Sequence, residues 1–172
     1  MADINLYAAK LPTWEGGFVN DPLDKGGATN CGVTLTTFQY YRKMHNMAAP
    51  TVTDLKNISP EEWLAILKWG FWDRWQADEL INQSVAECLV EWFWGSGNEG
   101  IKKPQEMLGL VPDDVVGPMT VEAVNAQDQH FFHNRLVAAK ISFIQNIVRN
   151  DPSQQCFYND WLRRINAFTF VA

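Results

Sequence analysis

Apolar residues recur along this chain at intervals of three and four, the spacing that lines one face of a helix, and almost nowhere at the interval of two that marks a strand. Ser59-Pro60-Glu61-Glu62 reads as a capping box with proline at the first helical position. It opens a helix expected to run to about Gln76, with Trp63, Ile66, Leu67, Gly70 and Phe71 on one face. A longer helix is expected from Asp128 to about Asn150, where two adjacent stripes appear: Phe132, Leu136, Ala139, Phe143 and Ile147 beside Val137, Ile141, Ile144 and Val148. Two stripes leave only a narrow wet strip, so the pattern predicts this helix to be central. Phe157, Trp161, Ile165 and Phe168 mark a last helix, and shorter ones are predicted near residues 3–13, 34–47, 83–95, 101–108 and 118–127. The one candidate for strand structure is a small hairpin or irregular loop at residues 18–33, where Gly-Gly and Asp-Lys-Gly-Gly are turn sequences. The expected class is all-α, with a soft boundary at Gly95 to Gly100 dividing regions 1–94 and 95–172 that share one core.

Composition narrows the class. A chain of 172 residues, 47% hydrophobic and 20% charged, is long enough to bury roughly 70% of its unfolded surface. No run approaches the roughly 18 apolar residues of a membrane span, so no stable membrane insertion is expected. Cys31, Cys88 and Cys156 are odd in number and widely spaced, with no nearby histidines to complete a zinc site. Reduced thiols are the expectation, and no metal or cofactor. A net charge of -6 argues against a nucleic-acid partner.

The chemistry concentrates near the N-terminus. Residues Glu15 to Thr34, EGGFVNDPLDKGGATNCGVT, set two carboxylates among glycines and small polar side chains, a composition that brings backbone close to a ligand and surrounds it with donors and acceptors. Glu-Gly-Gly-aromatic-x-Asn-Asp-Pro-x-Asp-x-Gly-Gly-x-Thr-Asn-x-Gly-Val-Thr resembles the N-terminal signature of glycoside hydrolase family 108, a family of N-acetylmuramidases. Phe71-Trp72-Asp73 is similar to the family's Tyr-Trp-Asp. Glu91 to Gly97 falls where the family has Asp and then Asn-Ser-Gly, with Gly95 replacing the Asn. Asp114-Val115-Val116-Gly117-Pro118-Met119-Thr120 resembles a peptidoglycan-binding element, with Val115 at its first glycine. Trp161-Leu162-Arg163-Arg164 resembles the closing Gly-Trp-x-x-Arg.

The resemblance implies a lysozyme-like helical fold, bacterial peptidoglycan as partner and no cofactor. It also implies Glu15 as general acid. Donating a proton at neutral pH requires a carboxyl whose pKa is raised, and an apolar wall such as Trp14, Phe18 or Trp72 raises it. Phage-type lysozymes place Asp nine residues after the Glu and Thr six further; Asp24 and Thr29 fit that series one residue short. By this analogy Asp24 stabilises developing positive charge or positions water, and Thr29 helps hold that water. The separation of the two carboxyls sets the outcome, roughly 5 Å for retention and roughly 6.5 to 9.5 Å for inversion.

Other residues keep two readings. Asn20, Asp21 and Asn30 either bind sugar hydroxyls and N-acetyl groups or hold the loop together. Trp72 and Trp94 are the aromatic faces expected to stack on sugar rings. Glu91, flanked by Trp92, Phe93 and Trp94, is either buried and paired or part of the same cleft. Two further activities stand beside hydrolysis of the β-1,4 bond between N-acetylmuramic acid and N-acetylglucosamine: a lytic transglycosylase, which needs only Glu15, and a non-catalytic wall-binding or secretion-accessory protein. The first residues carry no basic or strongly apolar leader segment, so synthesis in the cytoplasm and release through a holin-like pore, another export route or lysis are expected.

Overall fold

The computed structural model describes residues 1–11, 16–20 and 27–172. They form a mainly helical protein that divides into two compact units, one of Ile4–Gly70 and one of Met1–Asp3 with Phe71–Ala172.

The smaller unit contains α1 (Ile4–Ala8), a two-stranded antiparallel hairpin of β1 (Thr29–Asn30) and β2 (Val33–Thr34), then α2 (Leu35–Met44), α3 (Val52–Lys56) and α4 (Pro60–Leu67). Local rules place these helices. Thr34 caps α2, its side chain accepting from the Thr37 amide at 3.1 Å. Thr51 and Asp54 form a reciprocal capping box on α3, a helix too short for apolar periodicity to reveal. Ser59 caps α4 through the Glu62 amide and Pro60 sits at its start, as predicted. The Glu62 carboxylate takes a two-pronged hydrogen bond from Arg42 at 2.8 and 2.9 Å, joining α4 to α2.

The helix expected to reach Gln76 changes character after Leu67. A π-helical turn spans Lys68–Trp72 and a 3-10 turn spans Asp73–Trp75. Gln76, in the left-handed region at φ 47°, ends the run. A π turn inserts an extra residue and rotates the chain beyond it. Trp72 and Trp75 are consequently both fully buried.

The larger unit is built on α5 (Gln83–Ser96), buried at every position from Ser84 to Phe93. Against it pack α6 (Glu99–Met107) and α8 (Gln129–Asn150), while α9 (Tyr158–Ala167) packs on α8 and reaches α5 through Arg164, with α7 (Pro118–Asn125) between α6 and α8 in the chain. The expectation that α8 is the central helix is corrected: α8 buries Phe132, His133, Leu136, Lys140 and Ile144, one stripe with His133 beside it, and leaves Val137, Ile141 and Val148 half-covered. The central position of α5 is hidden in the sequence by Glu87 and Glu91, which break its apolar run. Gly100 lets α6 begin against α5, since a Cβ there would overlap the backbone of Trp92 and Phe93. Both chain ends are tied to the start of α5: Asp3 exchanges hydrogen bonds with Gln83 at 2.6 and 3.0 Å, and the Val171 amide donates to Ser84 Oγ at 2.9 Å.

Charge is handled inside this unit by pairing. Glu91, 4% exposed, receives hydrogen bonds from Arg164 Nε at 2.6 Å and Nη2 at 3.1 Å. Glu87 accepts from Gln83 at 2.9 Å. His133 is 3% exposed. Burial is the main force pushing its pKa below the ordinary 6.5, helped by Lys140 and His130 and opposed by the Phe168 backbone and Glu87. None of the three cysteines is in a disulfide, and burial pushes the Cys88 thiol up.

The buried charges lead to two expected outcomes. Removing one partner of a buried ion pair leaves the other charged and desolvated. Arg164→Ala should therefore cost about 3 kcal/mol in urea unfolding, with Arg164→Lys losing less. His133 binds its proton less readily folded than unfolded, so its contribution to stability is present above the unfolded pKa and lost as pH falls through the lower folded value. Melting temperature should decline from pH 7 to pH 5, and His133→Gln should flatten that decline by comparison with wild type.

Candidate functional site

The polar loop of the smaller unit is framed by backbone pairing. Val19 and Thr29 exchange both amide hydrogen bonds at 2.8 Å as an isolated antiparallel bridge, so they bracket residues 20–28. Glu15, Asp21 and Asp24 lie outside the described residues, Asp21 and Asp24 within the bracketed segment by sequence. From Thr29 the chain enters β1, and Cys31 and Gly32 make the two-residue turn with φ of 47° and 76°. Positive φ at both positions is the signature of a type I′ turn, whose twist matches that of the strands. The regular hairpin is thus narrower than the 18–33 span that the turn signals predict, and the Val19 bridge extends it.

Three helices brace this hairpin. Asn30, 8% exposed, donates from Nδ2 to the carbonyls of Leu55 at 2.9 Å and Lys56 at 3.1 Å, at the end of α3. Trp63 of α4 donates its indole N–H to the Cys31 carbonyl at 3.0 Å. The Leu35 amide at the start of α2 donates to the Ala28 carbonyl at 2.8 Å. Lys56 also reaches over the Phe18 ring, 5.7 Å from its centroid. A segment with few apolar side chains of its own is in this way framed by bonds to helices.

The other expected site residues divide plainly. Asn20 is exposed beside the bridge. Thr29 is half-buried, its hydroxyl 3.4 Å from the Gly27 carbonyl. Asn30 spends its amide donors on α3, which is the loop-holding reading. In the larger unit Trp72 is fully buried with its indole N–H on Asp78 at 2.6 Å, so the expectation that it stacks on a sugar ring is corrected: no face of it is open. Glu91 is the buried and paired alternative. Trp94 is half-exposed and packs on Phe71, with ring centroids 4.4 Å apart. Sequence reasoning missed the bracing by Trp63 and the partner of Glu91, although the Arg that closes the Trp161 to Arg164 motif was the available signal for the second. No cluster of three or more metal-ligating side chains occurs among the described residues. No described helix is long and apolar enough to cross a membrane.

A mainly helical fold, with a small braced hairpin adjoining in sequence an acid-bearing, glycine-rich segment, defines the class as lysozyme-like. Within it the chain belongs to the glycosyl hydrolase 108 family, whose model matches residues 8–97, and a predicted peptidoglycan domain matches residues 99–166. No curated protein matches the chain. Its fold is similar to that of the structure of Brucella abortus SagA, with a TM-score of 0.77 at 24% identity over 96% of this chain and 92% of that one. The two family matches meet near residue 98, whereas the compact units divide after Gly70, because α5 lies within the first match in sequence but packs with α6 and α8 in space.

Asn30 ties the hairpin to α3, and its loss would remove both of those bonds, although the Leu55 carbonyl keeps the Ile58 amide at 3.3 Å. Asn30→Ala should destabilise by about 2 kcal/mol, the cost of the lost hydrogen bonds and a small cavity. Hydrogen exchange should rise at the amides of Val19 and Thr29 before those of α5.

Proposed function

We propose that this chain is an N-acetylmuramidase, hydrolysing the β-1,4 bond between N-acetylmuramic acid and N-acetylglucosamine in bacterial peptidoglycan. Glu15 is the general acid. Membership of the glycosyl hydrolase 108 family, together with a predicted peptidoglycan domain, supports the reaction class and the polymer. The observation that carries the residue assignment is the Val19–Thr29 bridge, which closes the segment holding Asp24 and lies four residues after Glu15 in sequence.

Glycoside hydrolysis needs a proton for the departing oxygen and stabilisation of the positive charge that grows on the sugar ring. Glu15 supplies the first and Asp24, with water held by Thr29, the second. In sequence Glu15 precedes the bridge, Asp24 falls between its two residues and Thr29 forms one side of it. Asn20 and Asp21, next to the bridge in sequence, contribute hydrogen bonds to sugar hydroxyls.

Glu15→Gln keeps size and hydrogen bonding but cannot give up a proton. Release of reducing ends from purified sacculi should fall by about 10² to 10⁴, with the melting temperature unchanged or raised, since a desolvated carboxyl strains the fold. Asp24→Asn should lose less. Products ending in reducing muramic acid support hydrolysis, and 1,6-anhydro ends would replace this reading with a lytic transglycosylase. Wild-type turnover in folded Glu15→Gln would refute the assignment of the acid.

A further inference from the structure

Four rings gather on the surface of the smaller unit, apart from the residues that brace the hairpin. Trp69, in the π-helical turn, has the centroids of Tyr40, Tyr41 and His45 at 5.6, 5.5 and 5.4 Å. Tyr41 and His45 lie 4.2 Å apart, and a His45 Nδ1 contact of 2.8 Å to the Tyr41 carbonyl fixes the imidazole at the end of α2. Tyr40 is 55% exposed. His45 is also exposed, and Trp69 and Tyr41 are half-buried. Next to Tyr40 on the helix, Gln39 and Lys43 stand at i and i+4 and line, with Met47 and Ala49, an open groove of about 520 Å³.

Aromatic rings turned to water lose the stability that burial would give, and a cluster of them marks a binding surface. These rings are amphipathic: a flat apolar face with a hydroxyl or ring nitrogen at the edge. A sugar ring has the matching form, one face of C–H groups and an equatorial rim of hydroxyls. The groove is within the range of small-ligand sites and roughly the size of a disaccharide. Lys43 adds a cation, in a chain of net charge -6, beside a polymer whose stem peptides carry carboxylates.

We propose that exposed Tyr40, with Trp69 packed against its ring and Lys43 one turn along the same helix, forms an accessory site for a peptidoglycan strand, Tyr40 taking a sugar face and Lys43 a stem-peptide carboxylate. The site rests on the wall-hydrolase reading for its ligand. Its action is to hold the enzyme on an insoluble polymer between cleavages, so its loss raises the concentration of sacculi needed for half-maximal rate and leaves turnover on short soluble muropeptides unchanged.

The test is a pair of variants, Tyr40→Ala and the double Tyr40→Ala/Lys43→Glu, each with wild-type circular dichroism and melting temperature. Sedimentation with purified sacculi at low temperature should show binding weakened about tenfold in the double variant, as expected for removing an aromatic anchor and a charge contact. The indole N–H resonance of Trp69, assigned by its absence in Trp69→Phe, should shift on adding a soluble N-acetylglucosamine tetramer. Unchanged sacculus binding in the double variant, or an unmoved Trp69 resonance, overturns the proposal. A concentration-dependent dimer abolished by the same substitutions also overturns it, assigning the rings to a second copy. Failure of Glu15→Gln to lose activity bears only on the catalytic assignment, because these binding measurements do not depend on turnover.

Discussion

A carboxylate that is 4% exposed must be neutralised within the protein or abandoned to a large desolvation cost, and the larger unit is organised around that requirement. Glu91 sits on α5, buried along most of its length, and Arg164 reaches it from α9 in the two-pronged geometry that planar guanidinium and carboxylate groups favour. This fixes the rotation of α5 about its axis and the docking of the last helix together. With that rotation set, Ser84 and Gln83 face the two chain ends they hold. Trp92 and Phe93, next along α5, then meet the start of α6 at Gly100. Such a pair adds less to net stability than a hydrophobic replacement would, but it penalises every arrangement in which either charge is left alone.

The smaller unit solves a different problem. Its glycine-rich segment is made of small polar residues and has too few apolar side chains to hold itself in place. Asn30, Trp63 and the Leu35 amide supply the missing order through hydrogen bonds to backbone carbonyls, two of them from side chains that are themselves anchored in helices or beside them. The Trp63 and Leu35 bonds end on the carbonyls of Cys31 and Ala28 and so hold the backbone path at the hairpin, while the Asn30 side chain ties it to α3.

How much of this was legible depends on which forces act locally. Caps at Ser59 and Asp128, and proline at the head of α7, announce helix starts because they operate within one turn of chain. The glycine-rich segment announced the family because it carries an order of residue types close to the family's N-terminal signature. The rank of the helices was not legible: α8 shows more apolar stripe than it buries, and α5 hides its burial behind two glutamates, one of them paired far along the chain. Trp72 read as an open aromatic face because nothing in the sequence reveals the π turn that rotates it inward. Asn30 offered two roles, and only the position of α3, a helix too short for periodicity to detect, separates them.

The chain's charge constrains how a wall enzyme of this kind finds its polymer. At -6 it is repelled by an anionic wall at long range, but that repulsion is screened beyond about 8 Å at physiological ionic strength. Affinity must then come from contacts shorter than that, where ring faces and hydrogen bonds operate and a single well-placed cation outweighs the distant net charge. Tyr40 and Lys43, one turn apart on α2, are groups of that short-range kind on the surface of the smaller unit. The mean charge of the molecule keeps it from binding every acidic surface nonspecifically, so that selectivity falls to local contacts.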